Sequence, residues 1–173
     1  MSCSQKRKET ELAKAVQSNE LQTMERLLAE GVSADAKDAG LGPALHLAAK
    51  KGHLDALKLL RRHGANLEAT DTVGGTALMI AAAMGKADCA EALLEWGADK
   101  DAANKVGYTA LHFAAYRGRL ECARLLVAAR ADRAKKNNEG KTALEVARAK
   151  GEAEIVALLE QADADDDAAA QAS

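Results

Sequence analysis

The chain repeats itself at a fixed interval of about 33 residues. Leucine recurs at that spacing at Leu12, Leu45, Leu78, Leu111 and Leu144. Three further series share the period: Ala15, Ala48, Ala81, Ala114, Ala147; Leu27, Leu60, Leu93, Leu126, Leu159; and Asn19, Gly52, Gly85, Gly118, Gly151. Because four columns keep one period over five copies, the sequence predicts a tandem array in which each copy packs against its neighbours.

Small side chains dominate the composition. Alanine makes up about a quarter of the 173 residues, whereas aromatic residues make up 2%. Such side chains would fill one globular core poorly. The single proline and the few Val and Ile residues also disfavour a sandwich or a barrel. Thin helices that pack closely through alanine are favoured instead, so the predicted class is all-α.

Each copy is predicted to form two short helices, as the third copy illustrates. Residues 76–83 form the first helix, and Thr76 is placed as the N-cap whose side chain accepts a backbone N–H. Gly85 follows as a left-handed C-cap. Residues 88–95 then form a second helix with one apolar face, and Gly97 ends it.

Short motifs recur within these copies. They are ALHLAA at 44–49 with GAN at 64–66, TAL at 76–78 with GAD at 97–99, GYTALHFAA at 107–115, and GKTAL at 140–144. These motifs resemble the unit of ankyrin-repeat proteins, in which a turn precedes Thr-Pro-Leu-His-x-Ala-Ala, a glycine, a second helix and Gly-Ala-Asp. The resemblance implies a solenoid of stacked helix-turn-helix units joined by β-hairpin-like loops.

The resemblance defines the expected domain organisation. An ankyrin-repeat domain spans residues 8–162, with repeats at approximately 8–37, 38–70, 71–103, 104–136 and 137–162. A flexible basic tail precedes it at residues 1–7, and an acidic tail follows at 163–173. We expect the acidic tail to be disordered, because its aspartates and alanines bury too little apolar surface to offset the entropy of ordering.

Two copies depart from the pattern. In the second copy Pro43 occupies the place of the capping threonine, and Leu41 stands where later copies have the turn glycine Gly74. We therefore expect altered geometry in this hairpin. In the fourth copy Arg130 stands where Gly97 stands in the third, which is a strained place for a side chain if the backbone is left-handed.

Charge and cysteine content exclude several classes of protein. The chain has 24 basic and 26 acidic residues and a net charge of −2. Without the four aspartates of the C-terminal tail it is slightly basic, which is too weak a field to drive non-specific nucleic-acid binding.

No apolar run suggests a membrane span or a secretory signal. Three cysteines do not make a disulfide scaffold, so a cytoplasmic location is expected, with a nuclear one also open.

The residues capable of catalysis have structural explanations. The resemblance implies that His46 and His112 make a structural hydrogen bond with threonine. Cys89 and Cys122 lie one repeat period apart at apolar positions and are expected to be buried. Neither metal-ligand spacing nor a phosphate-binding loop occurs. The sequence therefore predicts a protein without enzymatic activity, cofactor or metal.

The resemblance implies that hairpin tips and the exposed face of the first helices bind protein partners. The residues predicted to do so are Lys50, Lys51, Val73, Met84, Lys105, Val106, Tyr108, Tyr116, Arg117, Lys141 and Lys150. Both tyrosines of the chain belong to this set, and Tyr and Arg are enriched at binding hot spots. The face is also basic. We therefore expect a monomeric adaptor that binds a protein partner, specifically an acidic segment with an apolar anchor.

Three other interpretations stay open at this point. The lysines can serve solubility alone. The basic face can serve a regulator associated with nucleic acid, although no repeated base-stacking residues or recognition helix are evident. The array can also be an assembly scaffold that uses helix faces outside the groove, including Trp96.

Overall fold

The computed structural model describes residues 3–38 and 42–171. Within them the chain forms helix-turn-helix pairs in succession. The helices are α1 (Cys3–Gln17), α2 (Leu21–Ala29), α3 (Ala44–Lys51), α4 (Leu54–Arg62), α5 (Ala77–Met84), α6 (Ala87–Glu95), α7 (Ala110–Arg117), α8 (Leu120–Ala128), α9 (Ala143–Lys150) and α10 (Ala153–Gln171). The odd-numbered helices pack side by side as an inner row, and the even-numbered helices form an outer row behind them. The predicted all-α solenoid is confirmed.

The repeated columns form the core between the two rows. The alanine column is buried in every copy, which lets successive inner helices approach closely. The first leucine column is buried at Leu12, Leu45, Leu78 and Leu111, but Leu144 is only partly covered. Leu144 lies in α9, which has no inner helix after it, whereas Leu12 in α1 is followed by α3. The 33-residue period therefore reflects the close stacking of successive helix pairs.

The predicted helix caps are present. The hydroxyl of Thr76 accepts a hydrogen bond from the backbone N–H of Met79 at 3.4 Å. Gly85 ends α5 in the left-handed region with a φ of 68°. Asn19 takes the equivalent conformation after α1 with a φ of 55°. These caps satisfy backbone groups that a short helix leaves without partners.

Arg130 adopts the left-handed backbone that its position predicts. Its φ is 57°, and the equivalent Gly97 has a φ of 85°. A side chain in this region costs roughly 1–2 kcal/mol relative to a right-handed conformation. The loop after α8 keeps the repeat's path in spite of this strain.

The hairpin of the second repeat contains two short paired strands. Its strands β1 (Lys37–Asp38) and β2 (Gly42–Pro43) pair antiparallel. In the third repeat Asp71 closes the loop, and its Oδ1 accepts from the backbone N–H groups of Val73 and Gly75. Asn104 and Asn137 repeat that arrangement. Leu41, at the expected place of the turn glycine, lies outside the described residues.

The ends of the chain correct the prediction of unstructured tails. Residues 3–7 belong to α1, and residues 163–171 continue α10 without a break. Alanine has the highest helix propensity, which favours this continuation. In addition, Arg133 binds Asp163 at 2.7 Å and Asp166 at 2.5 Å, and these bonds raise the pKa of the guanidinium. The repeat boundaries themselves stay predictions.

A series of carboxylates links the loops that follow successive outer helices. Each carboxylate accepts a hydrogen bond from a backbone N–H in the next such loop. The bonds are Asp35 with Asn66 at 2.8 Å, Glu68 with Asp99 at 2.9 Å, and Asp101 with Asp132 at 2.7 Å. We call this series the carboxylate ladder. The next position at this spacing is Ala134, which has no carboxylate. The loop after α8 is instead connected to α10 by the ion pairs of Arg133.

Candidate partner-binding surface

The hairpin tips form one edge of the predicted binding surface. Val73 is 57% exposed and Val106 is 55% exposed, although both are large apolar side chains. The backbone between them is fixed, because the N–H of Lys105 donates to the carbonyl of Val73 at 3.1 Å. The N–H of Asn138 donates to the carbonyl of Val106 at 3.2 Å in the same way. The two valines therefore project from an ordered row of tips.

An aromatic group lies beside this edge in the fourth repeat. The ring of Tyr108 is 5.4 Å from that of Phe113 and 6.4 Å from that of Tyr116, measured between centroids. Tyr108 is half-buried, whereas Tyr116 is exposed. We call these three residues the tyrosine cluster. Phe113 packs against the core as expected, and it also supports the ring of Tyr108.

Two cations surround the exposed ring of the cluster. The Nζ of Lys150 lies 4.1 Å from the centroid of Tyr116, and the guanidinium carbon of Arg117 lies 5.7 Å from it. Both distances are within the range of cation–π attraction. Tyr108 also contacts the ring of His112, at 5.5 Å. Tyr116 therefore contacts both the ring of Tyr108 and positive charge.

The three central inner helices carry no carboxylate. Helix α3 ends with Lys50 and Lys51, α7 ends with Arg117, and α5 has no charged residue at all. The outer helices α4, α6 and α8 each contain an acidic residue in their first turn. The central inner helices therefore carry only positive charge, whereas the outer helices together carry charges of both signs.

Apart from Lys150, which contacts Tyr116, the predicted lysines divide into two groups. The Nζ of Lys105 donates to the carbonyl of Thr72 at 2.7 Å, and Lys141 pairs with Glu139 at 2.8 Å. That pair raises the pKa of Lys141 and lowers the pKa of Glu139. Lys50 and Lys51, in contrast, form no ion pair within the described part of the chain. Lys105 and Lys141 are therefore already engaged within the protein.

Exposed apolar side chains concentrate at this surface. Among the described residues, the large apolar side chains that are exposed are Val73, Met84, Val106, Tyr116 and, on α2, Leu21. Ile80 and Phe113 add partly exposed apolar area on α5 and α7. They are absent from the predicted set, although they occupy the same column of two successive repeats. That shared column is the signal that identifies them.

The buried histidines have structural partners. The Nδ1 of His112 lies 2.9 Å from the hydroxyl of Thr109, and its Nε2 lies 3.0 Å from the carbonyl of Lys141. His46 reaches the carbonyl of Gly75 with Nε2 at 2.8 Å. Burial lowers the pKa of both imidazoles, and the carbonyl contacts oppose that shift. The expected threonine contact is confirmed for His112 and is missing for His46, because Pro43 has no hydroxyl.

Cys89 and Cys122, on the outer helices α6 and α8, are free thiols packed in the core. Cys89 and Cys122 are each 1% exposed. Burial raises the pKa of the Cys122 thiol to about 11 and shifts the pKa of Cys89 in the same direction. A thiol with a raised pKa is a poor nucleophile at neutral pH. Their predicted role as small buried hydrophobes is confirmed.

The position of Trp96 bears on the scaffold interpretation, and two other properties of the described residues bear on other classes of function. Trp96 follows α6 and packs partly against the core, so much of its ring is used within the repeat. Residues 3–38 and 42–171 contain no group of side chains arranged to hold a metal ion. In the same residues no helix is long and apolar enough to cross a membrane.

Comparison with known proteins agrees with this architecture. A family model described as ankyrin repeats (3 copies) matches residues 12–104 and again residues 97–169. No curated protein gives a significant match to the chain.

Proposed function

The chain belongs to the ankyrin-repeat family, and we propose that it is a non-catalytic adaptor that binds an acidic protein segment carrying an apolar anchor. Ankyrin repeats are generic protein–protein interaction modules, and the family is typically non-catalytic. The proposed surface consists of the hairpin tips and the exposed face of α3, α5 and α7. We place the adaptor in the cytoplasm and propose that it acts as a monomer.

One observation carries the proposal: exposed apolar side chains and unpaired cations share one surface. Met84 is 38% exposed and Tyr116 is 39% exposed. Lys50 and Lys51 lie on the same inner row, which has no carboxylate in its three central helices. An exposed patch of this kind is typical of an interaction site. The positive charge favours carboxylates in the partner and repels basic segments.

The rigidity of the tyrosine cluster supports its role as the anchor point. Tyr116 is braced by Tyr108 and by Lys150, so it has few alternative positions to lose on binding. Binding sites gain affinity when their contact residues are already ordered. Tyrosine also offers a large apolar area with a polar hydroxyl at its tip.

Selection from a random peptide library tests the proposal directly. We expect the selected sequences to combine Asp or Glu with one large apolar residue. Tyr116→Ala should weaken their binding about tenfold or more, as for a hot-spot residue. Tyr108→Phe should weaken binding less than Tyr116→Ala does, because it keeps the ring that contacts Tyr116. Leu21→Ala, an exposed leucine on α2, is the matched control and should bind like the parent protein.

Two outcomes would contradict the proposal. One is a set of selected peptides without acidic residues. The other is equal binding by Tyr116→Ala and the parent protein while both keep the same helical circular dichroism. A gel shift of duplex or single-stranded DNA that weakens steeply with salt would instead favour the nucleic-acid alternative.

A further inference from the structure

One column of the inner row interrupts its positive charge with an apolar residue. The column consists of Lys51, Met84, Arg117 and Lys150, one residue from each of four successive repeats, at the ends of α3, α5, α7 and α9. A single apolar residue thus lies between a cation on one side and two cations on the other. Met84 is exposed, and its helix α5 contributes no charge of either sign.

The two cationic groups are too far apart to act on one carboxylate. Packed helices lie about 8–10 Å apart, so Lys51 and Arg117 are separated by about 16–20 Å across α5. The Debye length at physiological salt is about 8 Å. A carboxylate beside Lys51 is therefore screened from Arg117. Each cationic group must attract its own acidic residue.

The residues of α5 between these two cationic groups are suited to an apolar side chain, with the guanidinium of Arg119 beside them, donating to the carbonyl of Ala83 at 3.3 Å. Ile80 is partly exposed and Met84 is exposed on α5, and the tyrosine cluster stands next to them on α7. Methionine is flexible and polarizable, so it adapts to the shape of an incoming side chain. The ring of Tyr116 is held by its contacts with Tyr108 and Lys150, so it forms a more rigid side of the same site.

Resting on the proposed function, we infer that the partner segment is extended and carries carboxylates on both sides of its apolar anchor, with the anchor seated on Ile80 and Met84. One carboxylate lies at Lys50 and Lys51, and the other lies at Arg117 and Lys150. An extended chain advances about 3.3 Å per residue, so the two acidic positions are about five or six residues apart.

Synthetic peptides of identical composition test this arrangement. One peptide has an acidic pair on each side of a central leucine, with the pairs five or six residues apart. A second has all acidic residues on one side, and a third has the two pairs only three residues apart. Fluorescence anisotropy with labelled peptides should show about tenfold tighter binding of the first, as expected when a second charge-assisted contact is added.

Protein variants assign the two ends. Lys51→Gln and Arg117→Gln should each weaken the two-sided peptide several-fold, and the effects should add because the sites are separated. The one-sided peptide should respond to only one of these changes. Lys58→Gln is the control, because Lys58 is an exposed lysine on α4, outside the inner row.

The results separate the inference from the function on which it rests. Equal binding of the two-sided and one-sided peptides, with loss of both on Tyr116→Ala, would overturn the arrangement and leave the proposed function standing. A preference for acidic pairs about eleven to thirteen residues apart would overturn the extended conformation, because a helix advances about 1.5 Å per residue. Failure of every peptide to bind would overturn both.

Discussion

The second and fourth repeats begin their inner helices differently at equivalent positions. In the fourth repeat Thr109 and His112 form a capping box, in which the hydroxyl accepts the N–H of His112 and the imidazole accepts the N–H of Thr109. In the second repeat Pro43 provides no side-chain cap. His46 is nevertheless buried, and its Nδ1 has no hydrogen-bond partner among the described residues.

The two repeats still make the same contact with their neighbours. His46 reaches Gly75, and His112 reaches Lys141, in each case through Nε2 and the carbonyl of the following repeat. The helices have the same length and end in left-handed glycines. The comparison shows that stacking and burial set the helix position. The cap adds stability to a start that is already defined.

Removing each histidine should give the largest difference between the two repeats. His112→Ala eliminates both the cap contacts and the bond to Lys141, so we expect a loss of about 2–4 kcal/mol in the free energy of unfolding. His46→Ala should cost about 1 kcal/mol less, because its Nδ1 has no bond to lose. Urea denaturation followed by circular dichroism measures both. His63→Ala, an exposed change on the outer row, is the control, and equal losses at His46 and His112 would contradict the comparison.

Removing the cap alone should have a smaller effect. Thr109→Val keeps the size of the side chain and eliminates the hydroxyl, and we expect a loss of about 1 kcal/mol, as for other N-caps. Thr72→Val, at an exposed tip, should change the unfolding midpoint little. A loss at Thr109 no greater than the loss at Thr72 would show that the capping box adds no stability.

Adding the cap to the second repeat should have the opposite sign. Pro43→Thr supplies a hydroxyl for the helix start and for the Nδ1 of His46, and we expect a gain of about 0.5–1 kcal/mol. Loss of the proline, which restricts the unfolded chain, offsets part of this gain. The gain should shrink in the Pro43→Thr, His46→Ala double variant. Destabilisation by Pro43→Thr would mean that the proline fits this hairpin better than a cap does.

Acid should lower the free energy of unfolding through both repeats, and we expect this to be the smallest of these effects. Burial lowers the folded-state pKa of His46 and His112, so the unfolded chain binds more protons once the pH falls below the ordinary histidine pKa of about 6.5. The contribution of these histidines is therefore complete above about pH 6.5 and declines as the pH falls toward their lowered values. Urea midpoints at about pH 7.5 and 5.5 should show the decline. The double variant His46→Gln, His112→Gln should show less of it, and an unchanged decline would assign it to other groups.

The sequence predicts the array well because every joint repeats the same few positions. The leucine and alanine columns, the caps at Thr76 and Gly85 and the left-handed Arg130 follow from the period alone. The surface is less predictable, because the use of each lysine depends on local partners. Lys141 has Glu139 two residues away, and Lys105 reaches a carbonyl of the preceding tip.

The helical residues 163–171 show where a prediction from composition fails. The composition of residues 163–173 indicates disorder, but the sequence does not reveal that Arg133 lies close enough to bind Asp163 and Asp166. That contact joins a loop to the extension of α10 and follows no repeated column. Knowledge of the path of α10 is needed to predict it.

Because the carboxylate ladder stops at Ala134, we expect the array to unfold from its C-terminal end first. Earlier joints are tied by hydrogen bonds from backbone N–H groups, whereas the last is tied by Arg133 to two aspartates that are about half exposed. Salt screens exposed ion pairs far more than it weakens backbone hydrogen bonds. We therefore expect amide hydrogen exchange at high salt to accelerate first in residues 163–171, with fraying that proceeds from the C-terminal end toward the rest of the array.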